Sequence, residues 1–197
     1  MKPLQLGMVG GGQGAYIGNI HRLASRLDEH WQLVAGAFDV DPQRGRDFAV
    51  AQGLDPARSY GTYQELIAGE AGRDDRVDAV AICTPNFTHY PIARALIDAG
   101  FDVICEKPLT ATLDDAVALE RLSRDSGRFV GVTYTYSGYS MVHEARVCIA
   151  RGELGAIRTR AGGISAGMDG DRHRAGGQRP GRLAHRSQEE RPRRFNW

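Results

Sequence analysis

Five short apolar runs, separated by stretches of helical periodicity, constrain the fold of this chain more than any other feature. Each run is rich in small and β-branched apolar residues and is too short to be a buried helix. This alternation favours a parallel sheet with helices on both faces, so the sequence predicts an α/β fold built on a doubly wound sheet. The predicted strands are residues 4–9, 32–38, 77–83, 102–105 and 128–133.

Three helices are predicted between these strands. Apolar residues at helical spacing mark one face in each of two of them: Tyr16, Ile20, Leu23 and Leu27 in the first, and Ile92, Leu96 and Ile97 in the second. Thr112, followed by Asp114 and Asp115, is typical of the capped, acidic start of a third helix.

The two ends of the chain differ sharply in charge. Residues 1–157 carry 15 basic and 20 acidic side chains, whereas residues 158–197 carry ten arginines and four acids. The second segment is also rich in glycine and poor in large apolar residues. Its apolar surface is too small to offset the entropy of ordering, which predicts a disordered Arg/Gly-rich tail after the folded domain.

The cysteines and the N-terminus favour a cytoplasmic protein. Cys83, Cys105 and Cys148 have neither an even count nor paired metal spacing, and the first two lie in predicted strands, so reduced thiols and no metal site are expected. The apolar run after Met1 is too short for a signal peptide, and no run is long enough to cross a membrane.

A glycine-rich turn follows the first predicted strand and opens the first helix. In residues 10–15, Gly10 permits a tight turn, Gly12 a close backbone approach, and Ala15 close helix packing, while Gln13 and Gly14 complete the turn. Free N–H groups at the start of the following helix attract phosphate. This context predicts a pyrophosphate site, and a glycine-rich turn without a ligand is the alternative.

Asp39 ends the second predicted strand, where a carboxylate can accept both hydroxyls of an adenosine ribose. This favours NAD over NADP, although Arg44 and Arg46 keep the phosphorylated cofactor possible. The alternative is a solvated acid beside the turn that precedes Pro42.

Polar residues follow the third and fourth strands at the same predicted edge of the sheet. Thr84, Pro85 and Asn86 offer short polar groups to a ligand there, and His89 begins the next helix. Helix capping and turn formation explain the same residues without a ligand.

Glu106 and Lys107 end the fourth strand before Pro108. Lys107 is one of only two lysines in the chain, and a lysine beside a cofactor can act as an acid or base while hydride moves. A surface ion pair of Glu106 is the alternative. After the last strand come Tyr134, Tyr136 and Tyr139, for which core packing is favoured over lining a pocket.

Together the glycine turn, the Thr84-Pro85-Asn86 stretch with His89, and Glu106-Lys107-Pro108 resemble the glucose-fructose oxidoreductase / inositol dehydrogenase / MocA (Gfo/Idh/MocA) family. The resemblance covers residues 4–157. It implies a nicotinamide cofactor and a catalytic role for Lys107. The implied cofactor-binding residues are Gly10, Gly12, Gln13, Gly14, Ala15, Asp39, Thr84, Pro85, Asn86, His89, Glu106 and Lys107.

The family resemblance also implies a domain plan. Residues 1–135 would form the NAD(P)-binding Rossmann domain, residues 136–157 would start a C-terminal substrate domain, and residues 158–197 would be an aberrant tail. The family's substrates are mostly sugars and polyols, oxidised or reduced at one carbon, and its second domain often builds a homo-oligomer. A further Asp and His come from a Gly-Asp-x-Gly-x-His-like stretch, which this chain lacks.

The tail has a possible explanation at the codon level. Met168-Asp169 is encoded ATG-GAY, so the frame shifted by one nucleotide contains a Trp codon, and the neighbouring codons permit a continuation like that of the family. We therefore expect a frameshift between about Ile157 and Gly163, and a truncated, inactive oxidoreductase. A basic arm that binds nucleic acid is the competing explanation, but it lacks interleaved aromatic residues.

A non-catalytic dinucleotide-binding protein, such as a redox sensor or an assembly subunit, is the rival function. It would share the cofactor site and differ in never turning over a substrate.

Overall fold

A single five-stranded parallel sheet forms the centre of the molecule, as seen in a computed structural model that describes residues 2–158. The strand order is β2-β1-β3-β4-β5, which confirms the predicted Rossmann-like sheet. All five predicted strands are present, but the third starts two residues later and the fifth is shorter than predicted. The strands are β1 (Leu4–Gly10), β2 (Trp31–Ala37), β3 (Ala79–Cys83), β4 (Asp102–Cys105) and β5 (Val130–Val132).

Six α-helices connect or follow the strands in the described residues, and local capping explains where several begin. Asp41 caps the second helix, because its side chain accepts from the backbone N–H groups of Gln43 and Arg44 while Pro42 occupies the first turn. Thr112 caps the fifth as predicted. The helices are α1 (Tyr16–Leu27), α2 (Pro42–Ala51), α3 (Tyr63–Ala71), α4 (His89–Asp98), α5 (Leu113–Ser126) and α6 (Ser140–Ala150).

The sheet is covered on both faces. Alternate residues of β3 point to opposite sides, so Val80 and Ile82 pack with α3, α4 and α5, whereas Ala81 packs on the side of α2 with Phe48. On the first side the buried apolar cluster has 14 residues, against six on the second, so the first face has the larger hydrophobic core.

A buried ion pair holds the chain between β2 and β3. The Arg58 guanidinium donates to the Glu70 carboxylate at 3.0 and 2.5 Å, and the Tyr60 hydroxyl donates to it at 2.9 Å. The Val77 N–H donates to the same carboxylate at 3.1 Å. Glu70 is fully buried, and this network fixes the approach of the chain to β3.

Two expectations about apolar residues are changed by the structure. The predicted stripe of α1 forms one helical face, but that face is exposed, and the helix buries Gly18, Arg22 and Ser25 instead. Core packing of the three tyrosines after β5 is wrong, since all are exposed: Tyr134, Tyr136 and Tyr139. The tyrosines lack a covering layer among residues 2–158, because β5 is an edge strand and α6 has almost no packing against the sheet, whereas the apolar face of α1 points away from the sheet that the helix packs on.

Among residues 2–158, none of the helices combines the length and apolar character that a bilayer crossing requires. The predicted Arg/Gly-rich tail, apart from its first residue, lies outside the described residues.

Candidate functional site

A cavity of about 840 Å³ opens at the carboxyl ends of the strands, where the strand order reverses between β1 and β3. In doubly wound sheets this reversal creates the crevice in which ligands bind. The cavity has four walls: the glycine turn after β1, the end of β2, residues 61–64 at the start of α3, and the end of β3 with the start of α4. Its volume lies within the usual range for small-molecule sites.

The glycine turn depends on the absence of side chains at several positions. Gly10 and Gly11 have φ of +75° and +71°, a conformation that favours glycine. A Cβ on Gly12 would lie 2.6 Å from the Phe38 carbonyl oxygen, and one on Gly18 would clash with the Gly11 Cα. Gly12 therefore lets the turn approach the end of β2, and Gly18 rather than Ala15 provides the closest approach of α1.

The start of α1 is left free to receive an anion. Its N-cap residue, Ala15, makes no side-chain capping hydrogen bond, and its first turn contains no acidic residue. The first N–H groups of the helix and its positive dipole end are therefore available beside the cavity, which Gly10, Gly11, Gly12, Gln13 and Ala15 line. Gly14 is exposed and does not line it.

Asp39 lies on the cavity wall but already has a partner. Arg44 donates to both of its carboxylate oxygens, at 2.7 and 3.3 Å, and the Asp41 N–H donates to one of them at 2.9 Å. The hydrogen bond from Arg44 is the main reason that the pKa of Asp39 is lowered. Arg44 is itself exposed and lines the cavity, so a ligand hydroxyl can compete with it for the carboxylate.

The end of β3 contributes Thr84 and Pro85 to the cavity wall. The next residue, Asn86, starts a short 3₁₀ turn and is exposed, outside the lining. His89 begins α4 as predicted, but its ring is buried, with its nitrogens 2.8 Å from the Pro108 carbonyl and 2.9 Å from the Thr84 carbonyl. The ring therefore links the loops that follow β3 and β4.

Glu106 lies at the end of β4 with its carboxylate almost fully buried. Thr133 donates to it at 2.7 Å, His21 contacts it at 2.9 Å, and the Lys107 N–H donates to it at 3.2 Å. Burial alone would raise the pKa of Glu106, but the hydrogen bonds from Thr133 and His21 outweigh it, so the pKa is lowered. The carboxylate thus joins α1, β4 and the residue after β5.

Lys107 follows at the same edge of the sheet. Its side chain is exposed, and its peptide bond to Pro108 is cis. It does not line the cavity described above, although β4 is the direct neighbour of β3.

Several residues that surround the cavity were not predicted. Phe87 and Tyr63 supply aromatic surface, and Phe38 and Val40 flank Asp39. They come from loops and helix starts that carry no motif, so their positions depend on the tertiary structure. The pairing of His21 with Glu106, 85 residues apart, has no local signal either.

Comparison with known proteins agrees with this geometry. The family model described as "Oxidoreductase family, NAD-binding Rossmann fold" (Gfo/Idh/MocA) matches residues 4–134. The chain is 46% identical over 158 residues to the uncharacterized oxidoreductase YfiI of Bacillus subtilis, covering 80% of this chain and 40% of that protein. It is 38% identical over 134 residues to D-xylose 1-dehydrogenase (NADP(+)) 2 of Haloferax volcanii, covering 68% of this chain and 38% of the enzyme.

A solved structure of a related protein shows the same similarity. An inositol dehydrogenase homolog from Azotobacter vinelandii, complexed with NADH and myo-inositol, is 50% identical and superposes with a TM-score of 0.77. The match covers 80% of this chain and 41% of that one, so the chain spans about two fifths of the length of these relatives. The chain belongs to the Gfo/Idh/MocA oxidoreductase family and contains its NAD(P)-binding Rossmann domain.

Proposed function

We propose that residues 1–135 bind a nicotinamide dinucleotide along the cavity at the carboxyl edge of the sheet. One observation carries this assignment: the glycine turn, Asp39 and the end of β3 line a single continuous cavity at the reversal of strand order. The pyrophosphate would lie over residues 10–15 and the uncapped start of α1, the adenosine ribose at Asp39, and the nicotinamide near residues 84–86.

The residues of the cavity fit such a ligand. Its volume is adequate, its walls are mostly apolar, and its polar groups fall where a dinucleotide carries phosphate and hydroxyl groups. Four of the predicted site residues do not line the cavity and would contribute indirectly. Gly14 would shape the glycine turn, and Asn86, His89 and Glu106 would shape the loops after β3 and β4.

NAD is proposed as the favoured cofactor, with NADP accepted more weakly. A carboxylate at Asp39 suits a ribose 2′-hydroxyl and repels a 2′-phosphate, whereas Arg44 could turn toward a phosphate instead. The relatives include a structure with NADH and an enzyme named for NADP(+), so both cofactors occur among them.

The reaction of the intact protein would be hydride transfer between the nicotinamide and an alcohol of a sugar-like or polyol substrate. Bound cofactor supplies or accepts the hydride. Lys107 would accept or donate the alcohol proton, since it is exposed at the sheet edge next to β3 and is held at its backbone N–H by the buried Glu106 carboxylate.

Residues 136–157 would begin the substrate domain. The exposed tyrosines Tyr136 and Tyr139 and the exposed apolar residues of α6 lie where such a domain would cover them. Because the described residues place no histidine, no lysine and no carboxylate besides Asp39 on the lining of the cavity, we propose that the 197-residue chain binds the cofactor without measurable turnover.

Fluorescence titration of the 197-residue chain with NADH and NADPH tests the binding proposal. We expect saturable binding, tighter for NADH, and an inverted preference in Asp39→Ala, where the repelling carboxylate is gone and Arg44 is released. Asp47→Ala, which removes an exposed acid from α2, is the matched control and should leave both affinities unchanged. Absence of binding to either dinucleotide would overturn the proposal. Turnover of myo-inositol or D-xylose by the same chain would overturn only the proposal that the chain is inactive, and the proposal of cofactor binding would stand.

A further inference from the structure

Arg22 is a buried cation on the inner side of α1, and neither the proposed reaction nor the family motifs use it. Only 7% of its surface is exposed, whereas the other residues that α1 buries are small, Gly18 and Ser25. Within residues 2–158, no carboxylate lies within ion-pair distance of its guanidinium. Burying a charge without a counter-charge is costly, so its retention calls for a compensating contact or ligand.

The contacts of Arg22 converge on the glycine turn. Its Nη1 donates to the Gly11 carbonyl oxygen at 2.5 Å. The Gly12 N–H, at the other end of the same peptide group, donates to the Phe38 carbonyl oxygen at 3.2 Å. Both polar atoms of the Gly11-Gly12 peptide are therefore held, one by α1 and one by the end of β2. A glycine sequence has little intrinsic conformational preference, so these two hydrogen bonds define the shape of the turn.

Phe48 of α2 completes the environment of the guanidinium. Its ring centroid lies 4.8 Å from the Arg22 Cζ, and the ring also packs against Phe38 at a centroid distance of 5.2 Å. The residue before Asp39 and the residue that holds the glycine turn thus share one aromatic support. The ribose and pyrophosphate parts of the proposed site are joined through it.

The Gly11 carbonyl and the Phe48 ring contact the guanidinium, but no anionic group among residues 2–158 pairs with it. Burial lowers the pKa of Arg22, yet a guanidinium stays charged in proteins. The nearby Cys83 supplies no anion at neutral pH, because burial raises the pKa of its thiol to about 12. A cation that contacts the turn from beneath, in a site of low polarity, is positioned to attract an anion above it.

We propose that Arg22 is a positioning residue of the dinucleotide site, which fixes the glycine turn and supplies the buried positive charge that a bound pyrophosphate neutralises. The inference rests on the proposed function. It adds a residue that favours cofactor binding from behind the turn, through its charge and through its hydrogen bond to the Gly11 carbonyl, without touching the cofactor.

Two ligands separate the role of the charge from a purely structural one. ADP-ribose carries the pyrophosphate and adenosine does not, so we would measure both affinities by calorimetry on the full chain and on Arg22→Met. We expect ADP-ribose binding to weaken about 10- to 100-fold in the variant, as for loss of a charged contact, and adenosine binding to change by less than about threefold. The dependence of ADP-ribose affinity on salt should also become shallower.

Arg26→Met is the matched control, because it removes an exposed arginine one turn further along the same helix. It should leave both affinities within about twofold, since an exposed charge is screened. Equal losses for ADP-ribose and adenosine in Arg22→Met would overturn the charge role. A wild-type chain that binds neither ligand would instead refute the proposed function.

Arg22→Lys keeps the test decisive if Arg22→Met does not fold. Lysine retains the charge and one donor, so the folded variant should recover ADP-ribose binding to within about fivefold of the wild type. A folded Arg22→Lys chain that binds adenosine normally but binds ADP-ribose 100-fold more weakly would overturn the proposal. It would show that a positive charge at residue 22 does not account for pyrophosphate binding.

Discussion

The two faces of the central sheet are built differently. Under α3, α4 and α5 the sheet is sealed by large apolar side chains such as Leu96, Phe101 and Leu119, all essentially without exposure. Under α1 and α2 the cluster is smaller and lies beside a buried arginine, Arg22, while the outer side of α1 presents apolar residues to solvent. The first face has the larger apolar core, and the second combines a smaller core with support of the glycine turn of the proposed site and with an exposed apolar surface on α1.

The largest effect on stability should come from the buried ion pair between Arg58 and Glu70, on the side of the sheet that α3, α4 and α5 cover (the sealed side). Glu70→Ala would leave the buried Arg58 guanidinium with only the exposed carboxylate of Asp75, at 3.6 Å, as a counter-charge, so we expect the free energy of unfolding to fall by about 3–5 kcal/mol in urea denaturation. Glu120→Ala is the matched control, since its ion pair with Arg124 is exposed and should contribute less than about 1 kcal/mol. Similar losses for the two variants would show that the buried pair does not hold this side together.

The glycine turn should instead respond mainly in binding. A Cβ at Gly12 would press on the Phe38 carbonyl, so Gly12→Ala should weaken NADH binding about tenfold or more and lower the free energy of unfolding by about 1–3 kcal/mol. Titration of NADH fluorescence and urea denaturation measure the two effects. Gly72→Ala, where a Cβ meets nothing within 4 Å, should leave both quantities nearly unchanged. Normal NADH affinity in Gly12→Ala would contradict the assigned site.

Sequence patterns succeeded where a residue's role is local. The β1 strand, the tight turn at Gly10 and the Thr112 cap all follow from neighbours in the chain, and each was predicted. By contrast, α2 was not predicted, because Asp41-Pro42 is as typical of a turn as of a capped helix start.

The roles that were missed depend on distant residues. Helical periodicity identified the apolar face of α1 but could not tell that the sheet lies on the opposite side, where Gly18 and Arg22 pack. The Arg22 contact with Gly11 and the burial of Glu106 between His21 and Thr133 arise only when the strands have assembled. The position of the cavity could be predicted from sequence motifs, whereas the side-chain contacts that hold its loops in place could not.

Acidification should weaken the link between α1 and the end of β4. The pKa of Glu106 is lowered in the folded state, so the unfolded chain binds more protons near the ordinary value of about 4.3. The stabilisation is therefore present above that value and is lost as the pH falls through the lower folded pKa. We expect Glu106→Gln to be less stable than the wild type at pH 7 and the difference to shrink toward pH 3, measured by urea denaturation.

Glu120→Gln provides the control for that experiment, because its exposed carboxylate should give little difference at any pH. A deficit of Glu106→Gln that stays constant from pH 7 to pH 3 would mean that packing, and not the charge of the carboxylate, links the two elements.

The smallest effect on stability should come from the outer side of α1, and it sharpens the contrast between the two faces. Leu23 is 52% exposed within a continuous apolar stripe, so Leu23→Gln should change the free energy of unfolding by less than about 0.5 kcal/mol. It should nevertheless reduce binding of a hydrophobic dye and self-association, because contiguous apolar surface drives both. Leu113→Gln is the matched control: that leucine is 78% exposed at the start of α5, on the sealed side, and should affect neither. Equal dye binding by the wild type and Leu23→Gln would mean that the stripe is ordinary scattered surface, and the two faces would then differ only in the size of their cores and in the buried Arg22.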